Sequence, residues 1–401
     1  MAKRLLVLGG SRYVLPVISA AHELGHEVIT MDYLPGNIAH RFSDQYEEVS
    51  IVDKEAVLAA ADKLGIDGIM SFAADPGVIT AAYVAEALGL PFQGSARSVE
   101  ILQNKGLFRA FLKGEGFNCP DAHLVSDVTQ AREMASDINY PVIVKPTDSA
   151  GSKGCSRVDD ARFLELAVEQ AFRFSLSHTC IIEQFIEKKY PSSDADGFTI
   201  DGRFECLSFT AQLFDASAVN PFVPAGYDMP CAMPDCAQMQ LRDDLQRLST
   251  LLQLNSGVYN VETRVGTDDK AYIMEVSPRG GGNRLCEMLR YSSGIDLIRA
   301  AVQVSVGDSA EGVNQPVYDG FWHQRMLHSE NGGVFRGIWY ADGFKDAHVQ
   351  DEQLWIKPGT AVQGFSGANH AFGSVFLRFD TKADLEEFHE DEQRFMRTVV
   401  D

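Results

Sequence analysis

Strand-like and helix-like segments alternate through the first hundred residues, and this alternation constrains the fold more than any other feature. The apolar run Arg4 to Gly9 leads into a helical segment that ends near Leu24, and the strand-like run Glu27 to Asp32 follows. Similar segments continue to Leu88. The pattern predicts a parallel β-sheet covered by helices, because parallel strands need crossover connections. Such a sheet binds ligands beyond the carboxyl ends of its strands.

The first predicted strand ends in the glycine turn Gly9-Gly10-Ser11, and Asp32 follows the second strand. This order imitates a dinucleotide-binding fingerprint. However, the G-x-G-x-x-G spacing that lets a pyrophosphate approach the helix N-terminus is absent, so a nicotinamide cofactor is not expected. The glycines either close a tight turn or contribute to a ligand crevice with Ala73-Ala-Asp75, and the sequence leaves both interpretations open.

A β-hairpin is predicted where two extended runs, Val258 to Val265 and Ala271 to Val276, are joined by a Gly-Thr-Asp-Asp turn. Glu262 lies on the first run and Glu275 on the second. Since antiparallel pairing folds the two runs together, both carboxylates can face one pocket across neighbouring strands. The alternative is an ordinary edge hairpin with solvated acids.

The residues after the hairpin add to the metal interpretation. Ser277 and Arg279 stand at the strand end, in a loop whose glycines allow the backbone to approach a ligand closely. Carboxylates supply hard oxygen ligands for Mg²⁺, and an arginine supplies a fork of donors for phosphoryl oxygens. The segment therefore predicts a magnesium-phosphate site.

A second predicted phosphate contact follows the apolar strand Val142 to Val144, which ends on Lys145. The loop behind it is rich in glycine and hydroxyl groups and contains Ser149, Gly151, Ser152, Lys153 and Gly154. Such a loop offers backbone N–H groups to phosphate oxygens, although it lacks the Gly-Lys-Ser/Thr of a P-loop. An ammonium directly after a buried strand is costly without an anion, which argues against a plain surface hairpin.

Composition excludes several classes of function. The chain has 35 Lys and Arg against 56 Asp and Glu, a formal net charge of -21, so neither nucleic acid nor an anionic membrane is an expected partner. No apolar run reaches 18 residues. The seven cysteines are scattered and form no Cys-x-x-Cys pair, which favours a reducing cytoplasm without a disulfide framework or a zinc site.

The remaining segments are interpreted more coarsely. Lys105 opens an amphipathic helix with Leu107, Phe111 and Leu112 on its apolar face, and Cys180 to Glu187 reads as a strand. Four further predictions are a long loop over 215–236, a helix over 238–254, a helix pair over 282–306 and a terminal acidic helix over 382–399. A long loop in a compact domain is usually a lid, a substrate loop or disordered.

Taken in order, these motifs closely resemble the ATP-grasp superfamily: Lys105, Val-Ile-Val-Lys145-Pro, the Gly/Ser loop, Ile-Glu183-Gln-Phe-Ile-Glu187, Asn260-Val-Glu262 and Met-Glu275-Val-Ser-Pro-Arg279. Within it, the chain resembles the carboxylate-amine ligase and carbamoyl-phosphate-synthase-like branch, which includes bacterial L-amino acid ligases. The resemblance implies an α/β and α+β architecture with a Rossmann-like pre-grasp domain (1–100), a small ATP lid domain (101–185), a central grasp domain with the Mg-ATP site (186–315) and a C-terminal extension packing on it (316–401).

The resemblance also implies roles for individual residues. It assigns contacts with ATP to Lys105, Lys145, Ser149, Gly151, Ser152, Lys153, Gly154, Glu183, Phe185, Ile186 and Glu187, with Glu183 and the backbone of Phe185 and Ile186 holding adenine. It assigns Glu262, Glu275 and Ser277 to two Mg²⁺ ions, for which Mn²⁺ is an alternative, and it counts Arg279, Lys145 and Ser277 as catalytic. Two positions depart from the family. Ser277 stands where Asn is usual, and the ribose-binding acid falls on Tyr190, so that Glu187, Asp194 and Asp196 all remain candidates.

The implied reaction joins a carboxylate to an amine through an acyl phosphate, with release of ADP and phosphate. Both substrates are expected to be small molecules, and the family allows a homodimer. Their contacts are predicted at Gly281, Gly282, Asn283, Arg284, Tyr227, His323 and Arg325, although the last two also fit a half-exposed polar strand. Two rivals stay open: activation of a small carboxylate such as bicarbonate or formate, and an ATP-binding protein without ligase activity.

Overall fold

The N-terminal region forms the predicted parallel sheet in the computed structural model, which describes residues 2–149 and 153–401. The strands are β1 (Arg4–Leu8), β2 (Glu27–Met31), β3 (Gln45–Glu47) and β4 (Gly68–Ser71), in the order β3-β2-β1-β4. The helices are α1 (Leu15–Glu23), α2 (Lys54–Leu64), α3 (Asp75–Leu88), α4 (Ala96–Gln103) and α5 (Lys105–Gly114). Alternate residues of β1 enter two different cores, so helices cover both faces of the sheet.

A small antiparallel sheet follows, in the order β5-β8-β6-β7. Its strands are β5 (Ala122–Val125), β6 (Val142–Pro146), β7 (Ser156–Val158) and β8 (Cys180–Gln184). Two helices, α6 (Val128–Met134) and α7 (Leu164–Phe172), pack on this sheet and share a core with it. Lys145 therefore lies within a strand of a separately packed unit.

The predicted hairpin belongs to a third sheet, in the order β10-β9-β13-β14. The elements of this part of the chain are β9 (Ser193–Ile200), β10 (Arg203–Ser208), β11 (Ala211–Phe214), β12 (Pro224–Met229), α8 (Asp235–Leu251), β13 (Gly257–Val265), β14 (Ala271–Ser277), α9 (Leu285–Ser293) and α10 (Leu297–Ser305). Helix α8 packs its apolar face on the sheet, and this burial fixes the register of the hairpin.

The C-terminal strands extend a sheet that starts with β11 and β12, in the order β11-β12-β15-β19-β17. The remaining elements are β15 (Phe321–Leu327), β16 (Gly332–Tyr340), α11 (Phe344–His348), β17 (Val349–Leu354), β18 (Ala361–Gln363), β19 (Gly373–Phe379), α12 (Lys382–Glu390), α13 (Glu392–Phe395) and β20 (Met396–Val400). The five-stranded sheet contains strands from both sides of residue 315, where a domain boundary was predicted. The predicted domain boundaries remain predictions. Within the described parts of the chain, no helix is long and apolar enough to span a membrane.

Two predictions of secondary structure were wrong. The segment 215–236 contains strand β12, which its Pro and Gly content concealed although it pairs with both β11 and β15. The terminal helix ends at Glu390, and Met396–Val400 instead pairs with β16 as a strand. β-branched residues near the end of this segment favour a strand over a helix.

Gly68 lies where strand β4 meets the end of α10, and it supplies a test of the packing. A Cβ at this position would overlap the backbone carbonyl oxygen of Ser305, which a rotamer change cannot move. We expect Gly68→Ala to lower the free energy of unfolding by about 1–3 kcal/mol, as measured by urea denaturation. A Cβ at Gly36 would meet no atom within 4 Å, so Gly36→Ala serves as the control. An equal effect of Gly36→Ala would contradict the packing argument.

Candidate active site

A cavity of about 500 Å³ lies where the four groups of elements meet. It is lined by residues from the loop after β4, the small antiparallel sheet, the hairpin β13–β14 and strands β11 and β12. The predicted nucleotide, metal and phosphoryl residues that line it are Lys105, Lys145, Ser149, Lys153, Glu183, Phe185, Ile186, Glu262, Glu275 and Arg279. The fold thus brings together residues that are far apart in the sequence.

Three carboxylates stand side by side across neighbouring strands of the central sheet. Glu262 on β13 pairs in register with Glu275 on β14 and with Asp194 on β9. All three line the cavity. Adjacent strands are about 4.8 Å apart, so the row is short enough for one or two cations to bind along it.

The electrostatics of this row favour a bound cation. Burial raises the pKa of Glu262, and the neighbouring Glu275 adds to the effect. Burial, with the charges of Asp196 and Glu262, raises the pKa of Asp194 to about 8. Carboxylates that repel one another in this way are stabilised in their ionised form by Mg²⁺, so the donor set fits the metal implied by the sequence.

Lys105 and Lys145 approach the cavity from two different elements. Lys105, the first residue of α5, places Nζ 3.5 Å from Glu275 Oε2 and donates to the carbonyl of Ser149 at 3.2 Å. Lys145 Nζ donates to Glu183 Oε1 at 3.0 Å. Both ammonium groups are largely buried, which makes them suitable to neutralise phosphate oxygens.

Glu183 is fully buried and held in place by two cations. Arg109 Nε donates to its Oε2 at 2.6 Å, and Lys145 occupies the other oxygen. Although burial opposes ionisation, the charges of Arg109 and Lys145 lower the pKa of Glu183 to about 2. The carboxylate therefore serves to position the two cations.

The backbone after Glu183 lies at the predicted adenine end of the cavity. Phe185 N–H already donates to the carbonyl of Pro141 at 3.0 Å, and Arg264 donates to the carbonyl of Ile186 at 3.1 Å. The Phe185 N–H and the Ile186 carbonyl, which were predicted to contact adenine, thus already have hydrogen-bond partners within the protein. Phe185 and Ile186 nevertheless line the cavity, so they can pack against a planar base.

Arg279 forms a two-pronged ion pair with Asp75, the first residue of α3. Its Nε and Nη2 donate to the two carboxylate oxygens at 2.9 Å each. Ser277 Oγ donates to the same carboxylate at 2.9 Å and accepts from Gln103 Nε2 at 2.7 Å. Ser277 is 1% exposed and does not line the cavity, so the structure places it in support of Arg279 rather than at the predicted metal position.

The predicted Gly/Ser loop is only partly described. Ser149 and Lys153 line the cavity, whereas Gly151 and Ser152 lie outside the described residues. Gly154 has a φ of +71°, and a Cβ there would come within 2.9 Å of the Phe174 ring. Glycine is therefore required at this position.

The candidates for ribose binding differ in their placement. The Glu187 side chain is half exposed and pairs with Arg157 at 2.8 Å, away from the cavity lining. Asp196 is buried, accepts from Gly281 N–H at 2.8 Å and accepts from the thiol of Cys286. Of the candidates Glu187, Tyr190, Asp194 and Asp196, Asp194 is the one that lines the cavity.

The predicted substrate residues divide into two groups. Gly282, Asn283 and Tyr227 line the cavity, and Asn283 Nδ2 donates to the Tyr227 hydroxyl at 2.9 Å. Gly281 lies behind them, and Arg284 is buried against Glu287 and Asp351. Gly281 and Arg284 thus shape the loop without lining the cavity.

His323 and Arg325 do not reach the cavity. His323 pairs with Asp228 on the opposite face of the sheet from Tyr227. The ring nitrogen Nδ1 of His323 is 2.7 Å from Asp228 Oδ1. Arg325 pairs with Glu392 at 3.0 Å. Side chains alternate between the two faces of strand β15, which explains this placement. Gln324 lies on the same face as Tyr227, whereas His323 and Arg325 lie on the opposite face.

Arg109 escaped the sequence analysis, and the roles of Asp194 and Asp75 were only partly predicted. Arg109 follows Lys105 by four positions, a spacing that places both on one helix face. Asp194 was predicted only as a candidate for ribose binding, although Asp194 and Asp196 alternate with small residues as in a strand. Asp75 was predicted only as part of a ligand crevice, because its ion pair with Arg279 is a tertiary contact without a local signal.

Comparisons with known proteins bear on the fold. Residues 102–283 match the family model described as an ATP-grasp domain. The carbamoyl phosphate synthase large chain of Thermotoga sp. (strain RQ2) is 24% identical over 292 residues, which cover 72% of this chain and 26% of that protein. The chain thus spans about a quarter of the length of this curated relative.

Two solved structures resemble the chain over nearly their whole length. The L-amino acid ligase from Bacillus licheniformis has a TM-score of 0.81 at 20% identity and is covered to 99%, with 100% of this chain covered. The phosphoribosylglycinamide synthetase from Anaerococcus prevotii has a TM-score of 0.78 at 18% identity, with 100% of each chain covered. These likenesses confirm the predicted fold class.

Proposed function

Because this chain contains an ATP-grasp domain over residues 102–283, we propose that it is an ATP-dependent ligase that joins a carboxylate to an amine. The observation that carries the proposal is the row of carboxylates facing buried cations in one cavity. Glu262 and Glu275 stand in register, and Lys105 and Arg279 line the same cavity. This arrangement suits phosphoryl transfer, which needs positioning and neutralisation of charge more than covalent help.

In the first step, an oxygen of the substrate carboxylate attacks the γ-phosphorus of ATP. An O–P bond forms, the bond to the ADP oxygen breaks, and ADP leaves with the electron pair. Glu262 and Glu275 would hold magnesium, which would supply positive charge to the phosphate oxygens. Arg279 is oriented by Asp75 and stabilises the transferred phosphoryl group.

In the second step, the amine attacks the carbonyl carbon of the acyl phosphate. A C–N bond forms and the C–O bond to phosphate breaks. The ammonium form of the amine loses two protons overall, one to the leaving phosphate and one to water. Ser149 and Lys153 border the cavity and help to keep water away from the acyl phosphate.

The cavity is lined by Phe185, at the predicted adenine contact, and also by Tyr227 and Asn369, which come from other parts of the chain. These further lining groups support organic substrates over a very small acid such as bicarbonate. Mg-ATP as cofactor, a homodimer and a cytoplasmic location remain parts of the proposal.

A screen for ATP-dependent phosphate release across pairs of carboxylates and amines tests the function. We expect ADP, phosphate and amide in equal amounts for the correct pair, with the amide identified by mass spectrometry. With the carboxylate and hydroxylamine alone, a hydroxamate is expected, since hydroxylamine traps acyl phosphates. ATP binding without ADP release across the whole screen would contradict the proposal and favour a binding protein.

A further inference from the structure

Three side chains form a compact cluster on the face of the C-terminal sheet that points away from the cavity. Asp228 belongs to β12, His323 to β15 and His389 to the last turn of α12. One ligand atom from each residue lies within 4.8 Å of the other two. None of the three residues lines the cavity, so the cluster is separate from the site described above.

The two histidines of the cluster converge on one carboxylate. His323 Nδ1 is 2.7 Å from Asp228 Oδ1, and His389 Nε2 is 2.9 Å from Asp228 Oδ2. The centroids of the two imidazole rings are 5.0 Å apart, and the rings are nearly perpendicular. Two ring nitrogens and one carboxylate therefore face one another over a short distance.

The size and the chemistry of the cluster suit a transition-metal ion. Zn²⁺ binds nitrogen and oxygen ligands at about 2.0–2.2 Å, so the ligand atoms around it are about 3–4 Å apart. The separations within this cluster are close to that range. Imidazole is a preferred ligand of Zn²⁺, whereas Mg²⁺ prefers oxygen ligands. The cluster therefore differs in its donors from the row of acids in the cavity.

Burial and protonation also permit a bound ion. Asp228 and His323 are buried, whereas the His389 side chain is 32% exposed and leaves a path from solvent. A donor to His323 Nε2 would lock the ring proton on Nδ1, but this buried atom has no partner among the described residues. Nε2 can therefore carry the proton when Nδ1 binds a metal.

The charges around the cluster do not oppose a cation. Arg325 lies two residues from His323 on the same face of β15, and it is neutralised by its pair with Glu392 at 3.0 Å. His389 lies at the C-terminal end of α12, where the helix dipole favours positive charge.

We propose that Asp228, His323 and His389 form a binding site for Zn²⁺ or a similar divalent transition-metal ion, separate from the Mg-ATP site. The ion would join α12 to strands β12 and β15. It would also fix the strand that carries Tyr227, the neighbour of Asp228 and part of the cavity lining. The cysteines gave no signal of a zinc site, because these ligands are histidine and aspartate from three distant segments. The inference does not depend on the ligase function.

Calorimetric titration of the full chain with Zn²⁺ tests the site, after treatment with a chelator and with MgADP in excess to occupy the row of acids. We expect one Zn²⁺ per chain, with a Kd of about 1 μM or tighter that excess Mg²⁺ does not change. Because Zn²⁺ binds the folded chain, it should also raise the melting temperature.

His389→Gln tests the ligands directly. Glutamine keeps an N–H donor for Asp228 and removes the imidazole lone pair, so the affinity for Zn²⁺ should fall at least about a hundredfold. The melting temperature without metal should stay close to that of the wild type. His22→Gln is the matched control, because His22 forms an exposed pair with Asp44 at the same distance of 2.9 Å. It should bind Zn²⁺ as the wild type does.

Co²⁺ in place of Zn²⁺ identifies the ligand atoms. Four-coordinate nitrogen and oxygen ligation gives visible d–d bands, whereas cysteine thiolates add an intense charge-transfer band in the near ultraviolet. We expect the visible bands without the thiolate band in the wild type, and their loss in His389→Gln. The wild-type spectrum decides the question even if the variant does not fold.

The outcomes are separable. No binding of Zn²⁺ by the wild type, or an unchanged affinity in His389→Gln, overturns the metal site and makes the cluster a hydrogen-bonded triad only. A thiolate band in the Co²⁺ spectrum also overturns it. Failure of the ligase function shows only in the phosphate-release screen, since metal binding does not depend on turnover.

Discussion

Glu275→Gln is expected to lower ADP release by at least about a thousandfold with the fold unchanged. The substitution removes the charge that faces Glu262 across the hairpin and also removes the ion-pair partner of Lys105. Because phosphoryl transfer depends on metal-held charge in a closed site, the loss falls on the chemical step. ADP release at several Mg²⁺ concentrations measures the effect.

The matched control for this variant is Glu386→Gln. Glu386 lies on helix α12, is exposed and pairs with Lys382. The Glu386→Gln variant should release ADP at the wild-type rate. Turnover of Glu275→Gln close to that of the control would contradict the assignment of Glu275 to the metal site.

Arg109→Leu is expected to destabilise the protein by about 3–5 kcal/mol. The buried carboxylate of Glu183 would keep Lys145 as a partner and lose the 2.6 Å contact with Arg109. Breaking one side of a buried ion pair leaves a charge that water cannot reach. Urea denaturation at pH 7 measures the change in the free energy of unfolding.

The double variant Arg109→Leu/Glu183→Gln sharpens this test. Its loss of stability should be smaller than the sum of the losses of the two single variants, since each single substitution already breaks the same contact between Arg109 and Glu183. Arg97→Leu breaks an exposed pair with Glu100 and should change the free energy of unfolding by no more than about 0.5 kcal/mol. A loss below about 1 kcal/mol for Arg109→Leu would contradict the role assigned to the pair.

The ion pair between Glu183 and Arg109 predicts that the free energy of unfolding depends on pH. The pKa of Glu183 falls from 4.5 to about 2 in the folded protein, so its contribution is fully present above about pH 4.5. The contribution disappears as the pH falls from about 4.5 towards 2, because the unfolded chain binds the proton first. We expect Glu183→Gln to lose less stability than the wild type over this interval.

The hairpin and the first sheet could be predicted because their signals are local. Glu262 and Glu275 lie on two apolar runs joined by a turn, and alternation alone places them on neighbouring strands. The strand around Lys145 was visible for the same reason. These elements need no knowledge of distant contacts.

The roles that were missed depend on contacts across the fold. Ser277 occupies the expected position in the sequence, yet its hydroxyl is engaged by Asp75 and Gln103, which come from two other helices or their ends. His323 alternates correctly with Arg325, but sequence periodicity does not say which face of a strand meets the cavity. Asp194 could be placed only once β9 was known to pair with β13.

The ion pair between Arg279 and Asp75 has a consequence for dissecting the protein. The family match begins at residue 102, whereas Asp75 precedes it. A fragment cut at that boundary would retain Lys105, Lys145 and both hairpin acids but would leave Arg279 without its counter-ion. The matched segment therefore depends on the first hundred residues for this ion pair, and a chimaera that exchanges them must carry an acid at the start of its third helix.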